Sequence, residues 1–435
     1  MSDLTVPLSD ESTPRAARAE RTAAALPTAS TDRGTSDSTR APGSALDDGT
    51  GPGLRQAGRL QAAVLVGASC LSVLGATLIA PVQPAIRDAF AGQAGVEVLV
   101  PISLTVPALM IGLMAPFAGR VVDSVGRLRL LTLALVVYAL VGTAPLYLDS
   151  LPLIVASRVG VGIAEAAIMT CATTLIADLW SGSRRNKILG LQAAVTSLSA
   201  VVFIGAGGAL GASSWRTPFA LYAVSLVFAV LVPLTLWQPA AVRRVQSALP
   251  PVNWTALRPA LLITFFGGIV FYAPIVELSF VLDGIGVSSV ATIGGISAFA
   301  ALATAIGALS FSRVAGRGPS ALLPVALTAA GCGLLVMGAG SAAGSVPLVA
   351  AGAVLCSVGT GLLLPTLLTW AQHSLTAETR GRGTGMWTAA FFIGQFICPL
   401  AILALAALLG GLSAALMAVG VGALVLAGVG RTLSR

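Results

Sequence analysis

From Leu60 onward the chain is a succession of apolar runs of about 20 residues, the length at which a helix crosses ~30 Å of hydrocarbon, separated by short polar breaks. The pattern predicts spans at 60–82, 97–118, 129–148, 152–178, 188–211, 217–237, 259–282, 290–311, 321–339, 346–370, 384–405 and 410–430. Twelve spans place both termini on one side. Residues 1–57 differ: rich in Ser, Thr, Ala, Gly, Pro and Asp, they hold almost no large apolar residue and cannot bury enough surface to fold. A disordered cytoplasmic tail is expected there. The segment lacks the apolar core of a signal peptide, and its eight acids argue against an organellar transit peptide. A short helix around Arg15, Arg18 and Arg21 that touches lipid or a partner is the alternative.

The short loops carry the orientation. Seventeen of the 25 basic residues, from Arg55 and Arg59 through Arg120, Arg127, Arg129 and Lys187 to Arg431 and Arg435, fall on one side, and only Arg87 and Arg216 on the other. The arginine-rich side is therefore expected to be cytoplasmic. A weak internal repeat relates the two halves of this region: RVGVGIAEA from Arg158 resembles SVGTGLLLP from Ser357, and Gly126-Arg127 recurs as Gly316-Arg317. The expected organisation is all-α, with six-helix halves at 58–237 and 259–435 joined by a cytoplasmic linker at 238–258. Such repeats place a substrate site at the midplane between halves.

Composition narrows the chemistry. Hydrophobic residues make up 56% of the chain and charged residues 10%, with a mean hydropathy of +0.92, which excludes an ordinary soluble domain. The sole Lys, Lys187, follows Asn186, so a P-loop is absent. Cys70, Cys171, Cys332, Cys356 and Cys398 lie far apart in apolar runs, and the single His373 is at a helix end. No metal site, cofactor or disulfide framework is expected, and an intramembrane enzyme lacks a His or Lys at the midplane to activate a nucleophile. The net charge of +8 would suggest nucleic acid in a soluble chain; lying between apolar spans, it does not. The expected partners are a lipid bilayer, a small-molecule substrate and protons, with the chain a monomer.

The loop after the second span reads GRVVDSVGRLR. Through Gly119, Asp123, Gly126, Arg127 and Arg129 it is similar to the signature G-x-x-x-D-[RK]-x-G-R-[RK] of the major facilitator superfamily, with Ser124 where a basic residue is usual and the last basic residue one place late. Arg158-Val-Gly160-Val-Gly162 in the fourth span and Trp215-Arg216 before the sixth also resemble family motifs, and the resemblance covers Leu60 to Arg431. It implies a cytoplasmic latch at the first motif that holds that side shut in one state. Within the family the chain looks most like twelve-span drug and metabolite exporters of the arabinose-efflux and proton-antiport type, supported by the tract from Ser157 to Gly190 and by Pro81 and Pro84 closing the first span. The antiporter motif Gly-Pro-x-x-Gly-Gly of the fifth span is represented by Gly207 and Gly208, with Phe203 and Ile204 in place of Gly-Pro.

Of the nine acids after residue 57, Glu165 falls at the middle of the fourth span and Glu277 inside the seventh; the rest lie at span ends or in loops. A charge at the membrane centre costs roughly 2.5–3.5 kcal/mol, so it faces a cavity or a partner. Arg158 is seven residues before Glu165, on the same face and about 10.5 Å away along the helix, too far for direct contact. A change in that separation between states would make Glu165 take and release a proton; the alternative is a static pair that fixes packing. Proton coupling is thus assigned to Glu165, Arg158 and Glu277, the last with an interfacial anchor as its alternative, and the substrate cavity to Gln192, Tyr272 and Gln395, with helix-to-helix contacts as theirs. The expected function is secondary active transport of a small organic molecule across the cytoplasmic membrane by alternating access, as proton-coupled efflux. A proton-linked importer or facilitator is the alternative, and a scaffold or sensor acting through the tail is a third.

Overall fold

The computed structural model describes residues 57–238, 252–376 and 378–433. The expected tail and most of the expected linker lie outside them, as does the helix around Arg15. Among the described residues the chain is all helical, with twelve helices long and apolar enough to cross a membrane. Helices close every backbone hydrogen bond within themselves, which hydrocarbon requires.

The first half comprises α1 (Arg59–Thr77), α2 (Gln83–Ala89), α3 (Val96–Met114), α4 (Ala118–Val125), α5 (Arg127–Thr143), α6 (Leu151–Leu179), α7 (Gly182–Gly211) and α8 (Ser225–Thr235). The second comprises α9 (Trp254–Gly284), α10 (Val290–Val314), α11 (Pro319–Ala342), α12 (Val346–His373), α13 (Arg380–Leu409) and α14 (Leu412–Leu433). The first span is broken: α1 stops at Thr77, a 3-10 turn covers Ala80–Val82, and α2 resumes. Pro81 and Pro84 lack the N–H groups a continuous helix would need there. The seventh span starts earlier than its apolar run suggested, because the Asn253 side chain accepts from the Ala256 N–H at 3.2 Å and caps α9 at Trp254, inside the expected linker.

Within the first half α6 packs against α1, α3 and α5; within the second, α9 packs against α12 and α13, and α11 against α12 and α14. The halves meet along α3 with α13 and α7 with α10. Toward the end that bears Arg87 the two halves touch closely. A Cβ on Gly208 would lie 2.6 Å from Gly294 Cα, so these helices meet backbone to backbone. Gly207 and Gly211 of the same helix receive Leu78 and Val82 of the broken first span. Arg87 Nη2 lies 2.9 Å from Asp283 Oδ2 and ties α2 to α9. Toward the arginine-rich end, among the described residues, α6 forms no packing seam with α12 or α13, while α3 and α13 stay in contact, a Cβ on Gly385 lying 3.2 Å from the Ala115 carbonyl oxygen.

Candidate functional site

The two charges of α6 converge on the break in α1. Arg158 and Glu165 are both fully buried, and both bond to the backbone of Gly75 rather than directly to each other. A helix end leaves its last carbonyls without intrahelical donors. Two of those at the end of α1 find donors elsewhere: Arg158 Nη2 donates to the Gly75 carbonyl at 2.7 Å, and the Tyr272 hydroxyl of the second half donates to the Ala76 carbonyl at 3.1 Å. Arg158 Nη1 donates to the Tyr222 hydroxyl at 2.7 Å, and the guanidinium lies 5.2 Å from that ring's centroid. Its Nε donates to the Ser103 carbonyl at 3.2 Å. That carbonyl is free because Pro107, four residues on in α3, has no N–H to offer it. Gly162 lets α6 approach there, since a Cβ would lie 2.6 Å from Pro107 Cα.

Glu165 Oε1 accepts from the Gly75 N–H at 3.1 Å and lies 3.0 Å from the Tyr138 hydroxyl, which donates to the Leu71 carbonyl at 2.6 Å. Oε2 has no hydrogen-bond partner among the described residues. Gly75 is required by this approach, because a Cβ at that position would fall on Oε1. Five other spans thus converge, directly or through Arg158 and Glu165, on the last two turns of α1.

A cavity of about 290 Å³ opens between the halves. Ser72, Val73, Ala76 and Thr77 of α1 form part of its wall, so the turn that carries the charge cluster on one side carries the cavity on the other. Tyr272 and Gln395 line it, as the sequence suggested. Gln192 does not. Its amide donates to Ser69 Oγ at 2.7 Å and Thr173 Oγ1 at 3.2 Å, tying α7 to α1 and α6, and this use of the amide between helices keeps it out of the cavity wall. Arg158 and Glu165 also stay off the lining. Glu277 is buried in α9, off the lining, and carries no hydrogen bond among the described residues.

At the arginine-rich end the first motif occupies α4 and the turn into α5. Gly126 adopts φ +92°, a left-handed conformation suited to glycine, and sets the sharp reversal between the two helices. Arg127, next in sequence, pairs with Asp178 at the end of α6. Gly119 is open around its Cα, and Arg129 lies in the first turn of α5. Asp123 lies on α4 rather than in the turn, and its side chain is outside the described residues. Sequence reasoning missed Asp178 and the Arg87–Asp283 pair, each a span-end charge whose partner lies far along the chain. The Trp215-Arg216 motif clamps the loop after α5: Arg216 donates to the Pro145 and Leu148 carbonyls, each at 3.0 Å, and pairs with Asp149 at 2.6 Å.

Comparison with known proteins agrees with this architecture. Multidrug resistance protein 2 of Bacillus subtilis (strain 168) is 32% identical over 117 residues, 27% of this chain and 29% of the relative. Tetracycline resistance protein, class C, of Escherichia coli is 28% identical over 233 residues, 51% of this chain and 55% of the relative. The matches thus span from under a third to about half of these relatives' length. Among solved structures, a D-xylose–proton symporter superposes with a TM-score of 0.70 at 15% identity, covering 85% of this chain and 96% of the other. A bacterial homologue of the human lysosomal transporter Spinster, inward-facing and occupied, does so with 0.66 at 16% identity, covering 86% and 96%. At such identities these two show the fold alone. The relatives are transporters rather than enzymes, and the family model described as the Major Facilitator Superfamily matches residues 65–399. With most of its length matched, its twelve spans in two halves and a cavity between them, the chain belongs to the major facilitator superfamily of multi-pass membrane transporters.

Proposed function

We propose that this chain exports a small organic molecule across the cytoplasmic membrane in exchange for protons, with the arginine-rich end and both termini in the cytoplasm. The arginine asymmetry of the loops supports that orientation. The described state is then read as inward-facing, shut outside by the Arg87–Asp283 pair and the Gly208–Gly294 contact, with no packing seam, among the described residues, between α6 and α12 or α13 at the cytoplasmic end. The Asp123, Arg127, Arg129, Gly119 and Gly126 motif is the cytoplasmic latch that engages the second half when the transporter turns outward, and the Arg127–Asp178 pair, already formed within the first half, holds the motif's turn against α6. The resemblance to multidrug and tetracycline resistance proteins supports the export direction.

The single observation that carries proton coupling is Glu165 set against the backbone of α1 with its second oxygen unpartnered. The Tyr138 hydroxyl has one proton and lies closer to Leu71 O than to Glu165. A proton on Glu165 would therefore complete a chain from carboxyl to phenol to carbonyl. Losing that proton puts a full charge beside the Gly75 peptide and Arg158, and the α1 turn that carries both the cluster and the cavity wall must respond. Protonation is thereby linked to cavity shape without the carboxylate touching substrate. Glu277 serves as a second proton site on the facing half.

The test is transport in proteoliposomes with an imposed pH gradient. Glu165→Gln keeps shape but removes the titratable group, so gradient-driven accumulation should vanish while substrate exchange at equal pH persists. Retained accumulation moves the role to Glu277, whereas no gradient-driven accumulation in the unmodified protein makes it a uniporter. Phe203 and Ile204, in place of the antiporter Gly-Pro, favour a second reading as a proton-linked importer or facilitator. On substrate addition to everted vesicles, alkalinisation of the lumen would support proton-coupled export, and acidification of the lumen a proton-linked importer running in reverse.

A further inference from the structure

We propose that the central cavity selects aromatic, apolar molecules that carry no net charge and present hydrogen-bond donors. The inference rests on reading that cavity as the substrate site. Among the described residues, no Asp, Glu, Lys, Arg or His lines it. An ionised ligand would leave water for a site with no counter-charge, and burying an unpaired charge is strongly unfavourable. Nor does the nearby charge cluster line the cavity: the Arg158 nitrogens and Glu165 Oε1 bond to α1, Ser103, Tyr222 and Tyr138 behind its wall, and neither residue is among those that form it.

The wall also specifies what a neutral ligand should offer. Phe271, Phe391 and Phe392 form an edge-to-face cluster with centroids 5.3 Å and 5.7 Å apart, a surface that favours flat rings. The hydroxyls around it mostly point their protons at their own helices: Ser72 donates to Ser69 O at 2.7 Å, Thr77 to Val73 O at 2.8 Å, Thr196 to Gln192 O at 2.7 Å and Ser197 to Ala193 O at 2.9 Å. Each proton so used leaves acceptor lone pairs facing the cavity. Gln395, Ser297 and Ser357 on the same wall have side chains with no hydrogen bond among the described residues and can donate as well as accept, but the hydroxyls committed to their own helices outnumber them. Acceptors therefore outnumber donors, and a ligand with N–H or O–H groups is the complement.

A matched probe pair tests this directly. N-phenyl-1-naphthylamine and 8-anilinonaphthalene-1-sulfonate share an arylamine skeleton and differ by one sulfonate; tetraphenylphosphonium supplies an aromatic cation. Titrated into the full chain in mild detergent, with the micelle signal subtracted, the neutral probe should bind at least about tenfold more tightly than either ion, as an uncompensated charge predicts. Ala301→Phe, which fills the cavity, should abolish that binding; Leu198→Trp, on an exposed apolar face, should not. Gln395→Glu, nearly isosteric, should raise tetraphenylphosphonium affinity and leave the sulfonate excluded. If either ion binds as tightly as the neutral probe and Ala301→Phe blocks both, the charge selectivity is wrong while the cavity remains the substrate site. If Ala301→Phe blocks nothing, the cavity reading itself fails and the selectivity with it.

Discussion

Replacing Asp283 by Asn removes the charge that Arg87 reaches across the halves while leaving the guanidinium otherwise placed, since Arg87 also contacts Asp88 at 3.2 Å and lies 5.8 Å from the Phe280 ring centroid. Both side chains of the cross-half pair are 27% exposed, so water screens the contact and the 2.9 Å geometry overstates its value. A partly exposed pair of this kind is worth up to about 1 kcal/mol, which corresponds to about a fivefold change in the ratio of closed to open states at this end. Spin labels at Ser213 and Ser345, both in loops at the Arg87 end, would report that ratio as two distance populations in a background freed of native cysteines. In Asp283→Asn the longer distance should gain by about that factor, and in the unmodified protein high salt should move the populations the same way. The exchange Arg87→Asp with Asp283→Arg should restore the closed population. An unchanged distance distribution in Asp283→Asn would refute the assignment of the pair to closure, and failure of the exchange to restore it would show that side-chain shape outweighs charge.

Other outcomes follow from the same geometry. Gly75→Ala should lower thermal stability and gradient-driven transport together, since its Cβ takes the place of the Glu165 carboxylate; a melting and transport assay at unchanged membrane insertion checks it. Gln192→Leu breaks two buried hydrogen bonds between helices and should cost about 1–3 kcal/mol of stability while leaving probe affinity in the cavity unchanged. Asp178→Asn should leave insertion intact and slow turnover by weakening the pairing with Arg127, and wild-type turnover would count against the latch. A reporter inserted near Ser213 should read external and one after Arg244 cytoplasmic.

The spans were legible because apolar length alone marks a helix in hydrocarbon, while Pro81 and Pro84, expected to close the first span, instead break it and α2 continues to Ala89. The spacing of Arg158 and Glu165 exposed the pair, but not its meeting place. Gly75 is one of 49 glycines, and nothing local distinguishes the one that meets a carboxylate 90 residues away. Tyr138 and Tyr222 read as ordinary aromatic residues of apolar runs for the same reason. Gln192 was ambiguous in kind: an amide in a span can face a ligand or a neighbouring helix, and its partners Ser69 and Thr173 carry no signal of their own. Arg87 and Asp283 stand 196 residues apart, and only the packing of α2 on α9 makes them a pair.

Pro107 turns an omission into a docking point, and this sets the strength of a part against the strength of the whole. Pro107→Ala would give α3 a more regular ladder and a better helix former, a change that strengthens an isolated helix. In the assembled protein the restored N–H would compete for the Ser103 carbonyl and leave the Arg158 Nε without its acceptor in a site closed to water. The variant should insert at least as readily as the parent yet assemble less firmly. Optimising this sequence helix by helix would therefore select against the arrangement that holds its buried cation.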